Sequence, residues 1–185
     1  MGRLILVTGG SGSGKSSFAE RVLLKLSQGR AVYLATMERS GDESLRRIER
    51  HRAMRARHGE DAGRQFVTVE RSTDIGRAEI LSGDTVLIED LGNLLANEIW
   101  SPQGAGEKAP EAAVAGVLAL VEKADLVVAV TNQIGADGGD YPQETLRYIR
   151  ELGRVNGALA QKAEAAVEVV CGIPLFLKGG ALFGG

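Results

Sequence analysis

The sequence predicts an α/β fold: a mostly parallel sheet of about seven strands, helices on both faces, and one antiparallel strand at the C-terminal end. Three observations point there. Short β-branched or aliphatic runs alternate with longer helical patterns, which implies crossovers and parallel pairing. The runs at 85–88 and 126–130 are apolar without alternation, as in strands covered on both sides. The last two runs are separated only by "CGI", too little for a crossover, so they should pair as a hairpin.

In chain order, strands are expected at "RLILVT" (3–8), "AVYLAT" (31–36), "QFVTV" (65–69), "DTVLIE" (84–89), "DLVVAVT" (125–131), "AVEVV" (166–170) and "PLFLK" (174–178). Helical patterns fill 15–27, 43–58, 90–99, 111–123 and 143–163. The segments "SPQGAGEKAP" (101–110) and "GADGGDYP" (135–142) have loop composition. The pattern resumes after each, so residues 1–185 are read as a single domain without internal repeats. The tail "GGALFGG" is expected to fray or pack loosely.

Composition narrows the class. With 44% hydrophobic and 25% charged residues the chain can build an ordinary globular core. A formal net charge of −2 provides no field to recruit nucleic acid or an anionic membrane. No apolar run approaches the roughly 20 residues that cross a bilayer, and no basic-then-apolar leader precedes the first strand. Cys171 is the only cysteine, which excludes an intrachain disulfide and any cysteine-based zinc site. A cytoplasmic location and a core position for Cys171, after "VEVV", are the expectations.

The chemistry begins at "GGSGSGKS", Gly9, Gly10, Ser11, Gly12, Ser13, Gly14, Lys15 and Ser16, which fits G-x-x-x-x-G-K-[ST] at every fixed position. Glycines leave no Cβ in the way, so successive N–H groups can turn around an anion. The helix starting near Lys15 adds its positive dipole end. Lys15 can reach the β- and γ-phosphates of a nucleoside triphosphate, and the Ser16 hydroxyl can ligate Mg2+. A flexible Gly/Ser turn would explain the composition too. The placement after a strand and before a helix favours a P-loop, and the fold class becomes the P-loop NTPase type. "TVLIED" brings Glu89 and Asp90 to a strand's C-terminal end, where a metal-holding carboxylate belongs; the pattern does not choose between them.

"DESLRRIERHRAMRARH" (42–58) is harder to explain as structure. On a helix Arg47, His51 and Arg55 share one face, and His58 lies near it. Apolar residues are chiefly Leu45, Ile48 and Met54. A solvated basic helix is the plain reading. A nucleic-acid patch lacks interleaved aromatics. The sharper reading is a nucleophilic histidine held neutral by neighbouring guanidinium charges, which also stabilise charge on phosphoryl oxygens during displacement. Trp100 is expected to anchor packing at a helix end, while Asn97 and Asn132 either cap backbone or face the site.

Together "LILVTGGSGSGKSSFAE", "VYLATME", "DESLRRIERHR", "FVTVE", "TVLIEDLGNLLANEIW", "VVAVTNQIG" and "GRVNGALAQKAEAAVEVVCGIPLFLKG" resemble the bifunctional adenosylcobinamide kinase/adenosylcobinamide-phosphate guanylyltransferases of cobalamin biosynthesis. The resemblance implies a homotrimer and two reactions: phosphorylation of adenosylcobinamide by ATP or GTP, then transfer of GMP from GTP through a histidine to the phosphorylated corrinoid. By position, His51 matches the guanylylated histidine. Ala35, Thr36 and Met37, with Arg52, Ala53, Met54 and Arg55, match nucleotide-contacting segments. Glu70 and Glu89 match nucleotide-site carboxylates, which favours Glu89 over Asp90. The chain departs from the family pattern at Gln133, usually Glu, at "RA" for Arg-Pro after His51, at Phe66 for Trp, and in an extra "HGEDAGRQ". A kinase without the guanylyl step and a GTP-binding switch are alternatives that use the same cradle.

Overall fold

The computed structural model describes residues 2–38, 65–135 and 138–184. The expected helix at 43–58, with Arg47, His51, Arg52, Ala53, Met54, Arg55 and His58, lies outside the described residues.

Seven strands form one sheet in the order β3-β2-β4-β5-β1-β6-β7. They are β1 (Arg3–Thr8), β2 (Ala31–Ala35), β3 (Phe66–Glu70), β4 (Thr85–Glu89), β5 (Leu126–Val130), β6 (Ala165–Val170) and β7 (Ile173–Lys178). Every pair is parallel except β6–β7. The described α-helices are α1 (Lys15–Leu26), α2 (Leu91–Trp100), α3 (Ala109–Lys123) and α4 (Gln143–Lys162).

Strand alternation divides the core into two layers. Leu4 and Leu6 of β1, Val86 and Ile88 of β4, and Val127 and Ala129 of β5 face one side, where α2, α3 and α4 bring Leu94, Val117, Leu120 and Leu159. Ile5, Val7, Leu87, Val128 and Val167 face the other, covered by Phe18, Val22 and Leu23 of α1. Both faces of the central strands are therefore dry, and β4 and β5 are buried along their whole length. This is why those strands read as continuous apolar runs.

Two expectations are corrected. Cys171 is exposed rather than buried. Val170 pairs with Ile173, so Cys171 and Gly172 are the two residues of a tight hairpin turn, both with positive φ (50° and 80°). A two-residue turn of this kind leaves the sheet and takes its first side chain out of the core. The tail is also packed: Gly180–Phe183 forms a 3-10 turn, and the Phe183 ring sits 4.9 Å from Phe176 and 6.2 Å from Phe18. Phe183 closes the α1 layer, an aromatic contact that outweighs the freedom of the surrounding glycines.

Candidate nucleotide site

The site lies at the C-terminal edge of the parallel strands. β1 ends at Thr8, and Gly9–Gly14 lead straight into α1. Positive φ at Gly12 (70°) and Gly14 (89°) lets the loop curl back on itself. Hydrogen bonds hold the carbonyls of Gly9, Gly10, Ser13 and Gly14. Ser13 N–H donates to Gly10 O (3.2 Å), Phe18 N–H to Gly14 O (3.0 Å), Gln133 N–H to Gly9 O (3.2 Å) and Gly172 N–H to Ser13 O (2.8 Å). Lys15 is buried and its Nζ donates to Gly10 O at 3.1 Å, which folds the ammonium over the loop.

α1 packs on β4 and β5 as well as β1, and this carries Ser16 to the end of β4. Its hydroxyl donates to Glu89 Oε1 at 2.7 Å. The other oxygen, Glu89 Oε2, is buried with no hydrogen-bond partner. Burial and then the charge of Asp90 push the Glu89 carboxyl up to about 8, against the opposing pull of the Ser16 hydroxyl and Lys15; Glu20 adds to the rise. Glu20 lies one turn beyond Ser16 and is itself buried. Buried acids beside a hydroxyl, with one carboxylate oxygen unsatisfied, are chemically suited to a hard cation. Mg2+ generally takes only one or two protein oxygens and completes its shell with phosphate and water, and Ser16 with Glu89 could supply these.

The geometry separates Glu89 from Asp90. Asp90 is the N-cap of α2, accepting from Asn93 N–H at Oδ1 (2.7 Å). Its Oδ2 accepts from Asn132 Nδ2 at 3.1 Å. Both oxygens are occupied in holding the end of β4 to α2 and β5, whereas Glu89 faces the P-loop. The peptide bond joining the two residues is cis.

Ala35 ends β2 in register with Glu89, and Thr36 and Met37 follow it. The Thr36 hydroxyl donates to Glu89 O (2.9 Å) and Asp90 O (2.8 Å). Asn97 Nδ2 donates to Thr36 O (2.7 Å) and so caps backbone. Thr36 is buried, so this segment holds the carboxylate strand in place with its own polar groups committed. Glu70 ends β3, in register with Ala35 from the opposite side, about 10 Å from Glu89 at two strand spacings. It is exposed. Trp100 is 55% exposed, its ring 5.6 Å from that of Tyr148, so it lies at the surface against one aromatic neighbour rather than anchoring the core.

Several contributors escaped the sequence reading. Glu20 carries a signal, since it follows Ser16 by one helical turn on the same face. The Cys171–Gly172 turn and the main chain of Gln133 carry none, because each reaches the P-loop only through sheet order.

Among known proteins, the family model described as cobinamide kinase / cobinamide phosphate guanyltransferase matches residues 5–177. The chain belongs to this family. The bifunctional adenosylcobalamin biosynthesis protein CobU of Escherichia coli is 34% identical, over 95% of this chain and 99% of the relative. CobP of Pseudomonas aeruginosa, with the same bifunctional description, is 31% identical over 94% and 96% of the two chains. Among solved structures, an ATPase from the type III secretion system of pathogenic bacteria aligns with 91% of this chain and 51% of its own, at TM-score 0.52 and 12% identity. That likeness is one of fold. Family membership makes this a nucleotide-binding enzyme of cobalamin biosynthesis, acting on a corrinoid small molecule as both kinase and guanylyltransferase. No helix among the described residues is long and apolar enough to cross a membrane.

Proposed function

We propose that the chain phosphorylates adenosylcobinamide with ATP or GTP and then transfers GMP from GTP to adenosylcobinamide phosphate through His51, with the P-loop gripping the triphosphate in at least the first reaction. The observation that carries the nucleotide part is the Ser16–Glu89 contact at 2.7 Å beside the glycine loop. It joins the phosphate cradle to a carboxylate on a separate strand.

In the kinase step backbone N–H groups of the Gly9–Ser16 loop, other than that of Ser13, bind the phosphate oxygens. Lys15, released from Gly10 O, follows the charge that moves onto the β–γ bridging oxygen as the corrinoid hydroxyl oxygen bonds to the γ-phosphorus. The bond from that phosphorus to the bridging oxygen breaks, ADP or GDP leaves and the hydroxyl proton passes to water. Ser16 and Glu89 would hold Mg2+, which when bound would screen the phosphate charges. In the guanylyl step a neutral imidazole nitrogen of His51 forms a bond to the α-phosphorus as the bond to the β-phosphate oxygen breaks, releasing pyrophosphate. The phosphate oxygen of adenosylcobinamide phosphate then attacks the same phosphorus. The P–N bond breaks, and adenosylcobinamide-GDP leaves. Arg52 and Arg55 stabilise the equatorial oxygens, and Ala35–Met37 with Glu70 border the nucleoside.

The whole of 1–185 acts as one nucleotide-binding domain in this account, assembled as a homotrimer in the cytoplasm. The apolar side chains exposed along β7, Ile173, Leu175 and Leu177, support assembly with further copies.

The test is covalent labelling. Protein, Mg2+ and α-labelled GTP are mixed and the chain is denatured. Acid-labile, base-stable label that is absent from His51→Ala and retained in His58→Ala supports the reading. Label that persists in His51→Ala removes it. An unlabelled chain that still phosphorylates adenosylcobinamide would leave a kinase alone.

A further inference from the structure

We infer that the β6–β7 turn is a positioning element of the phosphate cradle, and that Gly172 acts through the peptide between Ser13 and Gly14. This rests on the reading that the P-loop binds the triphosphate.

In a trans peptide the C=O and the following N–H point in opposite directions. The Ser13–Gly14 bond is trans, and Ser13 O accepts from Gly172 N–H at 2.8 Å. Fixing that carbonyl toward β6–β7 aims the Gly14 N–H the other way, toward the hollow of the loop. The same holds at the loop's entrance, where Gln133 N–H on Gly9 O orients the Gly10 N–H. These two bonds are the described main-chain contacts that fix P-loop carbonyls from outside the loop and its helix. One comes from the segment just past each strand flanking β1.

The approach is close by construction. A Cβ on Gly14 would stand 3.4 Å from Gly172 Cα, and one on Gly9 would stand 2.6 Å from Val169 O. Gly172 can donate because the two-residue turn leaves its N–H outside the β6–β7 ladder, with Val170 paired to Ile173 around it. Its φ of 80° is what glycine supplies and alanine resists. β7 contributes no side chain to the described phosphate site. Its turn nevertheless sets the direction of one anion-binding donor, so nucleotide affinity depends on the C-terminal hairpin.

The experiment removes the single N–H. Cys171 is the only cysteine, so residues 1–170 as a thioester can be joined to a synthetic 171–185 segment without altering any side chain. In that segment glycolate replaces Gly172, giving an ester in place of the amide. GTP and ATP binding are measured by calorimetry against an all-amide chain made the same way. The expected result is a Kd raised about five- to tenfold for each nucleotide, with kcat at saturation within about twofold. A purely structural bond would lower the melting temperature and leave Kd unchanged in the folded range. That result, from a folded ester chain, overturns the proposal.

Should the semisynthetic chain not refold, Gly172→Ala and Gly172→Asn decide. Open space surrounds a Cβ at this position, so only backbone strain separates the two, and Asn tolerates positive φ far better. Gly172→Ala should weaken nucleotide binding several-fold and Gly172→Asn should restore it. Equal Kd in both variants and wild type overturns the idea. An all-amide chain that binds neither nucleotide would instead remove the nucleotide reading itself.

Discussion

Replacing Gly9 by alanine tests how tightly the cradle is built into the sheet. The new Cβ would stand 2.6 Å from Val169 O and 2.6 Å from Ser13 Oγ. The serine side chain can rotate away; the Val169 carbonyl is backbone of β6 and cannot yield without moving a strand. Overpacking of this kind costs about 1–3 kcal/mol, which in a chain of this size lowers the melting temperature by roughly 2–12 °C. The strain falls at the loop's first residue, so nucleotide affinity should fall with it. Gly10→Ala is the internal control, because nothing lies within 4 Å of a Cβ there. Its melting temperature without ligand should stay within about 1 °C of wild type. Thermal unfolding by calorimetry and GTP titration measure both effects. Equal melting temperatures for the two variants would refute the packing argument.

Three further expectations follow from the same geometry. Lys15→Ala should abolish both activities while far-UV circular dichroism is retained, since Lys15 Nζ donates to the carbonyl of Gly10 within the loop; retained kinase activity would take the P-loop out of the mechanism. Asp90→Ala should cost about 1–2 kcal/mol by loss of the α2 cap, read as a lower urea midpoint with unchanged slope. Arg30 and a hydrogen bond from Leu81 N–H hold the Asp84 carboxyl below its usual range, so their contribution is present above about pH 4 and lost as pH falls through the lower native value. Asp84→Asn should therefore be less stable at pH 7 and lose less stability than wild type between about pH 5 and pH 2; parallel pH profiles would contradict this.

The features legible in the sequence were those written locally. Uninterrupted apolar runs marked β4 and β5 because both faces of those strands are covered, and "CGI" forced the β6–β7 hairpin because no crossover fits in it. The glycine loop announced itself through residue type and its place between a strand and a helix. Residue type did not show which of two adjacent acids turns toward the loop. That choice depends on Asn132 and Asn93 occupying Asp90, contacts made where the start of α2 and the segment after β5 meet the end of β4. Cys171 looked like core because it continues an apolar strand, yet a two-residue turn exposes it. Phe183 looked like part of a loose tail because its neighbours are glycines, yet Phe18 and Phe176 hold its ring. In each case the deciding partner lies far along the chain.

The covalent route requires a guanylylated chain to be a competent intermediate. Protein labelled from α-labelled GTP can be freed of nucleotide by rapid desalting and mixed with adenosylcobinamide phosphate alone. The label should leave the chain in a single turnover and appear as adenosylcobinamide-GDP, without added GTP. Label that stays on the protein, or departs only when fresh GTP is supplied, would contradict the covalent route through His51.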